Sequence, residues 1–222
     1  MSSSRQNCLI VLSSRKEANS APSFIQSFKL LHTAFTIQIA TPGGKPLEFV
    51  NQDEQSRRWL NEFRMKSLSV PISLRTVDPN RYSSLVIPHS PGAAADLADD
   101  ADLGQILRHF IKEKKPICAI GMGVAGLFSA VDEHSSWCFK RYVLTSTSVF
   151  ELARTKDFES SPLIPEDVIK EKGARYSCTE PDEVHVVVDR HLITGQNEQS
   201  TLVAVQNLIL CNENQGKNKD RH

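Results

Sequence analysis

One segment, residues 115–127, constrains the fold of this chain more than any other. Four apolar residues at Ile117–Ile120 run directly into Gly121-Met122-Gly123-Val124-Ala125-Gly126. A short apolar run that enters a glycine-rich turn is typical of a buried strand that passes into a helix. The segment therefore predicts a strand–turn–helix unit of an α/β fold, with residue 121 at the apex of the turn and a helix from about residue 123.

Apolar runs and helical patterns alternate along most of the chain. Residues 8–12, 36–40 and 84–88 read as further buried strands. The clearest helix carries apolar residues at the spacing i, i+3, i+4, i+7, i+8, namely Leu103, Ile106, Leu107, Phe110 and Ile111. Alternation of this kind predicts one α/β domain with a mostly parallel sheet and helices on both faces.

The domain boundaries follow from the polar ends of the chain. We predict a flexible N-terminus at residues 1–7, one folded domain at residues 8–211, and a disordered polar tail at residues 212–222.

Composition narrows the classes of partner. Lys and Arg together number 26, as do Asp and Glu, so the net charge is zero. Without a strong positive field, we expect no direct binding to nucleic acid or to an anionic membrane. The longest apolar stretch, residues 117–131, is interrupted by glycines and too short to span a bilayer.

The cysteines indicate a reducing compartment. They are odd in number, widely spaced and free of any Cys-x-x-Cys pair: Cys8, Cys118, Cys138, Cys178 and Cys211. This pattern argues against a disulfide framework or a zinc knuckle. We therefore predict a cytoplasmic protein. Because no His, Asp and Glu set has metal-ligand spacing, we expect no metal and no cofactor.

The run 121–126 also matches the dinucleotide fingerprint G-x-G-x-x-G. Three observations weigh against a nucleotide site. The run lies in mid-chain, no acidic residue ends a strand about 20 residues later, and the glycines could simply let a helix approach the strand closely. Nucleotide binding is kept as the third hypothesis.

Several stretches resemble the ThiJ/PfpI family, relatives of the class I glutamine amidotransferases. Residues 115–127 are similar to its pattern K-P-[VI]-x-A-I-C-H-G-P-x-x-L, and residues 78–88 to D-P-x-x-Y-D-x-L-V-[IL]-P. Residues 92–97 follow its G-x-x-x-D-L, and residues 192–197 its L-I-T-G-Q-N. The resemblance covers residues 8–210. It implies a flavodoxin-like, doubly wound fold and a tendency to form dimers or larger homo-oligomers.

The resemblance also places two departures at the expected catalytic turn. Gly121 stands where the family has its nucleophilic cysteine, and Met122 stands where many members have a histidine. Residues 88–92 read P-H-S-P-G where the family usually reads P-G-G-H-G, and Pro91 removes one backbone N–H donor. Glycine at the apex would relieve the strain of a positive φ angle, which costs other residues about 1–3 kcal/mol.

Few residues remain that could perform chemistry in place of a cysteine at the turn. His89 lies on a strand-to-helix loop and is the strongest acid/base candidate, although such histidines often have no chemical role. Glu17 follows the first strand, about where the family carries an acidic partner, but it can also be a solvated loop residue. Cys118 lies inside a strand, where thiols are usually inert.

The leading hypothesis is a non-catalytic member of the fold that acts as a homo-oligomeric binding or assembly subunit with other proteins. Its cleft could still hold a small molecule, with the lining residues His89, Ser90, Gly92, Gly121, Met122 and Gly123. The alternative is a hydrolase, lyase or amidotransferase-like enzyme that uses water, His89 or Ser90 instead of a cysteine.

Overall fold

The fold is taken from a computed structural model that describes residues 5–156 and 158–219. The strands are β1 Asn7–Val11, β2 Asn19–Ser20, β3 Thr36–Thr41, β4 Phe49–Val50, β5 Ile72–Ser73, β6 Ser84–Ile87, β7 Ile117–Ile120, β8 Val143–Leu144, β9 Arg175–Tyr176, β10 Val186–Asp189 and β11 Leu192–Gly195. The α-helices are α1 Ala21–Ala34, α2 Glu54–Arg64, α3 Ala93–Asp96, α4 Ala101–Lys112, α5 Val149–Leu152, α6 Pro165–Glu171 and α7 Thr201–Lys219.

Seven strands form the central sheet, in the order β10-β11-β7-β6-β1-β3-β5. All neighbouring pairs are parallel except β10 and β11, which are antiparallel. Two small parallel pairs, β2 with β4 and β8 with β9, lie outside this sheet. The prediction of a single, mostly parallel, flavodoxin-like α/β domain is confirmed.

The central strands separate two apolar cores because successive side chains point to opposite faces. Leu9, Leu85 and Ile117 pack on the side of α3 and α4, whereas Ile10 and Val86 pack on the side of α1 and α7. Burial on both faces explains why these strands are continuous apolar runs.

Capping side chains mark the starts of two helices. The Ser20 side chain accepts a hydrogen bond from Ser23 N and begins α1, and the Asp100 side chain accepts one from Leu103 N and begins α4. Both capped helices are among those that the sequence predicts. The five cysteines are free thiols. Within the described ranges, no helix is both long and apolar enough to span a bilayer.

Three predicted boundaries differ from those in the structure. The helix after β7 is a 3-10 helix, Gly121–Ser129, and begins two residues before the predicted start at residue 123. Helix α7 continues to Lys219, whereas we predicted disorder from residue 212 onwards. Asn212 is buried and accepts a hydrogen bond from the Ser84 hydroxyl at 3.1 Å, which holds the extra turns against the sheet. At the other end, Asn7 already belongs to β1 and not to a flexible terminus. Residues 1–4 and 220–222 of the two predicted tails lie outside the described residues.

Candidate functional site

A cavity of about 730 Å³ lies at the carboxyl ends of the central strands, where open α/β sheets bind ligands. Its lining includes Glu17 after β1, His89 and Gly92 after β6, Met122 after β7, and Glu198 after β11. The structure therefore brings together four residues that the sequence analysis singled out, namely Glu17, His89, Gly92 and Met122.

Gly121 occupies the apex of the turn after β7 with φ at +55°. A Cβ atom built there would lie 2.2 Å from His89 Nδ1 and 3.0 Å from His89 Cγ. Both the backbone conformation and the neighbouring imidazole therefore require glycine. The ring of His89 fills the space into which a side chain at position 121 would project.

The imidazole of His89 is bonded to the same turn. Met122 N donates a hydrogen bond to His89 Nδ1 at 3.1 Å, so the neutral ring carries its proton on Nε2. Burial lowers the pKa of His89, although the nearby carboxylates of Glu198 and Glu151 act in the opposite direction. His89 is consequently a neutral N–H donor at physiological pH, and its Nδ1 lone pair is already engaged.

Backbone donors around the turn are also engaged. His89 N donates to Ser23 Oγ at 3.0 Å, and Gly92 N donates to Ala18 O at 3.0 Å. Pro91 has no N–H. An oxyanion site needs N–H groups that point at an empty position, and those of His89, Gly92 and Met122 all point at protein atoms.

Ser90 supports the loop from inside the protein. It is fully buried, and its hydroxyl donates to Asn19 Oδ1 at 2.9 Å. Asn19 Oδ1 also accepts from Ser13 N at 3.0 Å, which ties the loops after β1 and β6 together. Ser90 is not among the residues that line the cavity.

Of the two other candidate residues, Cys118 is buried and Glu17 is exposed. Cys118 is fully buried in β7, and burial raises the pKa of its thiol far above the ordinary value. Glu17 is an exposed residue on the rim of the cavity, at the unusual φ of +49°, and its N–H donates to Glu48 Oε2 at 3.3 Å.

Packing accounts for the remaining glycines of the run 121–126. A Cβ atom at Gly123 would lie 2.3 Å from Pro88 O, and one at Gly126 would lie 2.9 Å from Ile87 Cδ1. The whole 3-10 helix, Gly121–Ser129, is buried against β6 and its neighbours. The glycines therefore let the helix pack closely against β6, which is the explanation for them that the sequence offers in place of a nucleotide site.

The cavity wall contains a residue that sequence reasoning missed, the buried Glu151 at the N-terminal turn of α5. Its two carboxylate oxygens accept five hydrogen bonds, from Ser148 N at 3.0 Å, Ser148 Oγ at 3.0 Å, Asp182 N at 3.0 Å, Gln196 Nε2 at 3.1 Å and Asn197 Nδ2 at 2.8 Å. Burial opposes ionisation, but the hydrogen bonds from Asn197, Ser148 and Asp182 outweigh it and lower the pKa of Glu151.

One local signal could have found Glu151. Ser148-x-x-Glu151 is a capping-box pattern, and both reciprocal hydrogen bonds of the box are present. Gln196 and Asn197 belong to the stretch L-I-T-G-Q-N, but nothing in the sequence paired them with position 151. Across the described ranges, no group of three His, Cys, Asp or Glu residues is arranged to hold a metal ion.

Comparison with known proteins identifies the family. The chain is 53% identical over 209 residues to glutamine amidotransferase-like class 1 domain-containing protein 1 of Xenopus laevis, covering 94% of this chain and 91% of the relative. It is 51% identical over 208 residues to the Homo sapiens protein of that name, covering 93% and 94%. The chain belongs to this family. No family model matches it.

Solved structures confirm the fold at lower identity. Rapid Encystment Protein 24 KDa of Francisella tularensis aligns with a TM-score of 0.84 at 22% identity, over 93% of this chain and 99% of that one. Glyoxalase III of Candida albicans aligns with a TM-score of 0.83 at 17% identity, over 93% and 97%. A ThiJ/PfpI domain protein of Brachyspira murdochii aligns with a TM-score of 0.60 at 15% identity, over 92% and 95%. The fold is that of ThiJ/PfpI proteins.

Proposed function

We propose that this protein is a non-catalytic ThiJ/PfpI-like domain that acts as a homo-oligomeric binding and assembly subunit in the cytoplasm. One observation carries the proposal: the apex of the turn after β7 is Gly121, and the His89 ring occupies the space where a nucleophile would project. Without a side chain at the apex, thiol chemistry has no attacking atom there.

The state of the neighbouring groups supports the same proposal. The N–H groups of His89, Gly92 and Met122 are hydrogen-bonded to protein atoms, and the Ser90 hydroxyl is buried on Asn19. The cavity keeps the volume of a small-molecule site, so ligand binding can persist where catalysis does not.

A turnover panel tests the non-catalytic part of the proposal. We expect purified protein to give no product above the buffer rate with dicarbonyls, small amides and peptides. The alternative function, an enzyme without a cysteine nucleophile, is favoured by the position of His89 near two carboxylates. Turnover that disappears in His89→Ala would establish that alternative and overturn the proposal.

Exposed apolar side chains on α7 support self-association. Val203 and Leu210 are 36% and 57% exposed. They are seven residues apart and so lie on one stripe of the helix. We expect the protein to have a native mass of at least twice 24.8 kDa. Leu210→Glu should lower that mass, whereas Met65→Glu, a control at another exposed apolar residue, should not. A monomer at every concentration would contradict the assembly role.

A further inference from the structure

The imidazole of His89 presents a hydrogen-bond donor to the cavity. Its Nδ1 accepts from Met122 N at 3.1 Å, so the neutral ring carries its proton on Nε2. Nε2 forms no hydrogen bond within the described residues, and it is not among their enclosed polar atoms that lack a partner, so it is accessible. Because His89 lines the cavity, a ligand there can accept a hydrogen bond from this group.

Glu198 places a hydrogen-bond acceptor beside this donor. Its Oε2 accepts from the Ser20 hydroxyl, whereas its Oε1 forms no hydrogen bond in the described chain and is likewise accessible. Ser20 fixes the two groups relative to each other, because its N–H donates to His89 O at 3.0 Å while its hydroxyl holds Glu198. The carboxylate is close enough to His89 to oppose the lowering of its pKa, and it lines the same cavity.

A donor beside an acceptor argues against a simple ion as the group bound there. A ligand carboxylate would accept from Nε2–H, but it would face the like charges of Glu198 and Glu151. A ligand ammonium would donate to Glu198, but it offers no acceptor to the Nε2–H of His89. Hydroxyl groups both donate and accept, so two neighbouring hydroxyls satisfy both partners. A primary amide can do so as well, and the rest of the lining distinguishes the two.

The remaining lining favours several hydroxyls over a single amide. It includes uncharged polar side chains that can each donate and accept, namely Asn51, Thr155, Ser160, Ser161 and Gln199. Three basic and four acidic residues also line the cavity, so neither sign of charge dominates. Its volume of about 730 Å³ is that of a small-molecule site. A neutral ligand with hydroxyls on several carbons can bond to many of these groups at once.

We infer that the cavity binds a small neutral polyol, such as a monosaccharide or a cyclitol. One hydroxyl accepts a hydrogen bond from His89 Nε2, and a neighbouring hydroxyl donates to Glu198 Oε1. This inference rests on the proposed binding role of the cavity and names the class of ligand for it.

Ligand-observed NMR titration of the full chain tests the class of ligand. The probes are D-glucose, D-ribose and myo-inositol, each beside its fully O-methylated derivative, together with hexanoate, hexylammonium and hexanamide. We expect saturable binding of at least one polyol and binding of its methylated form that is weaker by roughly tenfold or more, since methylation removes every O–H donor to the carboxylate. Binding of no polyol, equal affinity for a methylated form, or tighter binding of any of the last three probes would overturn the inference.

Variants of two glutamates give the matched comparison. Both Glu198 and Glu17 line the cavity, but Glu17 is an exposed residue on its rim. Glu198→Ala removes the acceptor and should weaken polyol binding roughly tenfold or more, whereas Glu17→Ala should leave the affinity unchanged. An equal loss in the two variants, or no loss in Glu198→Ala, would contradict the assignment.

A third variant separates a lost ligand contact from a loss of folding. Glu198→Gln keeps an oxygen that can accept from the Ser20 hydroxyl. It should melt close to the wild type and still bind the polyol more weakly, because its amide oxygen carries no charge. Wild-type affinity in a folded Glu198→Gln would contradict the assignment. The turnover and native-mass results do not depend on these outcomes, so failure here is distinguishable from failure of the proposed function.

Discussion

The turn at Gly121 and Met122 and the wall at Glu151 both border one cavity, and they differ in how their polar groups are satisfied. At the turn, a neighbouring ring fills the space of an absent side chain and takes up one N–H group. At the wall, a buried carboxylate collects five donors from three separate segments. The turn carries no side chain at its apex, whereas the wall holds a carboxylate whose two oxygens are both hydrogen-bonded. A satisfied network of this kind makes the surrounding structure more rigid.

The largest effect is expected at the wall. Glu151→Ala would leave five donors without this acceptor, four of them on the buried residues Ser148, Gln196 and Asn197, so we expect the free energy of unfolding to fall by about 3–5 kcal/mol. Glu151→Gln keeps the shape and one acceptor oxygen and should lose less. Urea denaturation followed by fluorescence measures both. A loss below about 1 kcal/mol in Glu151→Ala would show that the network is not a stabilising feature.

A smaller loss is expected at the turn. Gly121→Ala combines a positive φ with a Cβ atom 2.2 Å from His89 Nδ1, so we expect about 2–4 kcal/mol of destabilisation in the same denaturation assay. Gly173→Ala is the matched control, because Gly173 has φ at +83° but nothing within 4 Å of the added Cβ atom. It should lose only the backbone part, about 1 kcal/mol.

A double-mutant cycle separates the clash from the backbone strain at the turn. His89→Ala removes the ring that a Cβ atom at Gly121 would meet. The double variant should therefore be more stable than the sum of the single losses predicts, by about 0.5–3 kcal/mol. Additive losses would mean that His89 does not occupy the space beside the apex.

The smallest effect is the dependence of stability on pH. Burial lowers the pKa of His89, so the unfolded chain takes up a proton near pH 6.5 while the folded protein resists protonation. Stability therefore falls as pH drops from 7 through 6.5, with a slope below about 1.4 kcal/mol per pH unit for one group. His109 and His191, whose pKa values burial also lowers, add slopes of the same sign.

Comparing the wild type with His89→Asn isolates the contribution of His89. The variant should show a shallower decline between pH 7 and pH 5 in thermal or urea unfolding. An unchanged slope would indicate that His89 titrates alike in the folded and unfolded chains.

Local patterns predicted much of the fold. Continuous apolar runs gave the central strands, and the Ser20 and Asp100 caps lie at the starts of predicted helices. The extension of α7 was missed because its sequence is polar, and Asn212 is held by Ser84, 128 residues earlier. Polar composition alone could not reveal a contact over that distance.

The sequence predicted where the cleft lies in the fold, but it did not predict which side chains contact one another there. The glycine-rich turn and the loop that carries His89 were both recognised as parts of a cleft. The proximity of His89 and Gly121 depends on the packing of β6 beside β7, and 31 to 46 positions separate Glu151 from Asp182, Gln196 and Asn197, three of its hydrogen-bond donors. Such distances in sequence carry no periodic signal, so only the assembled sheet reveals these contacts.

Alkylation of the native protein tests the central claim most directly. Iodoacetamide treatment followed by peptide mass spectrometry should modify the exposed Cys178 and leave the fully buried Cys118 in β7 unmodified. No covalent adduct should form on any residue that lines the cavity. Rapid modification of Cys118, or an adduct trapped in the cavity, would contradict the account of a cleft without a nucleophile.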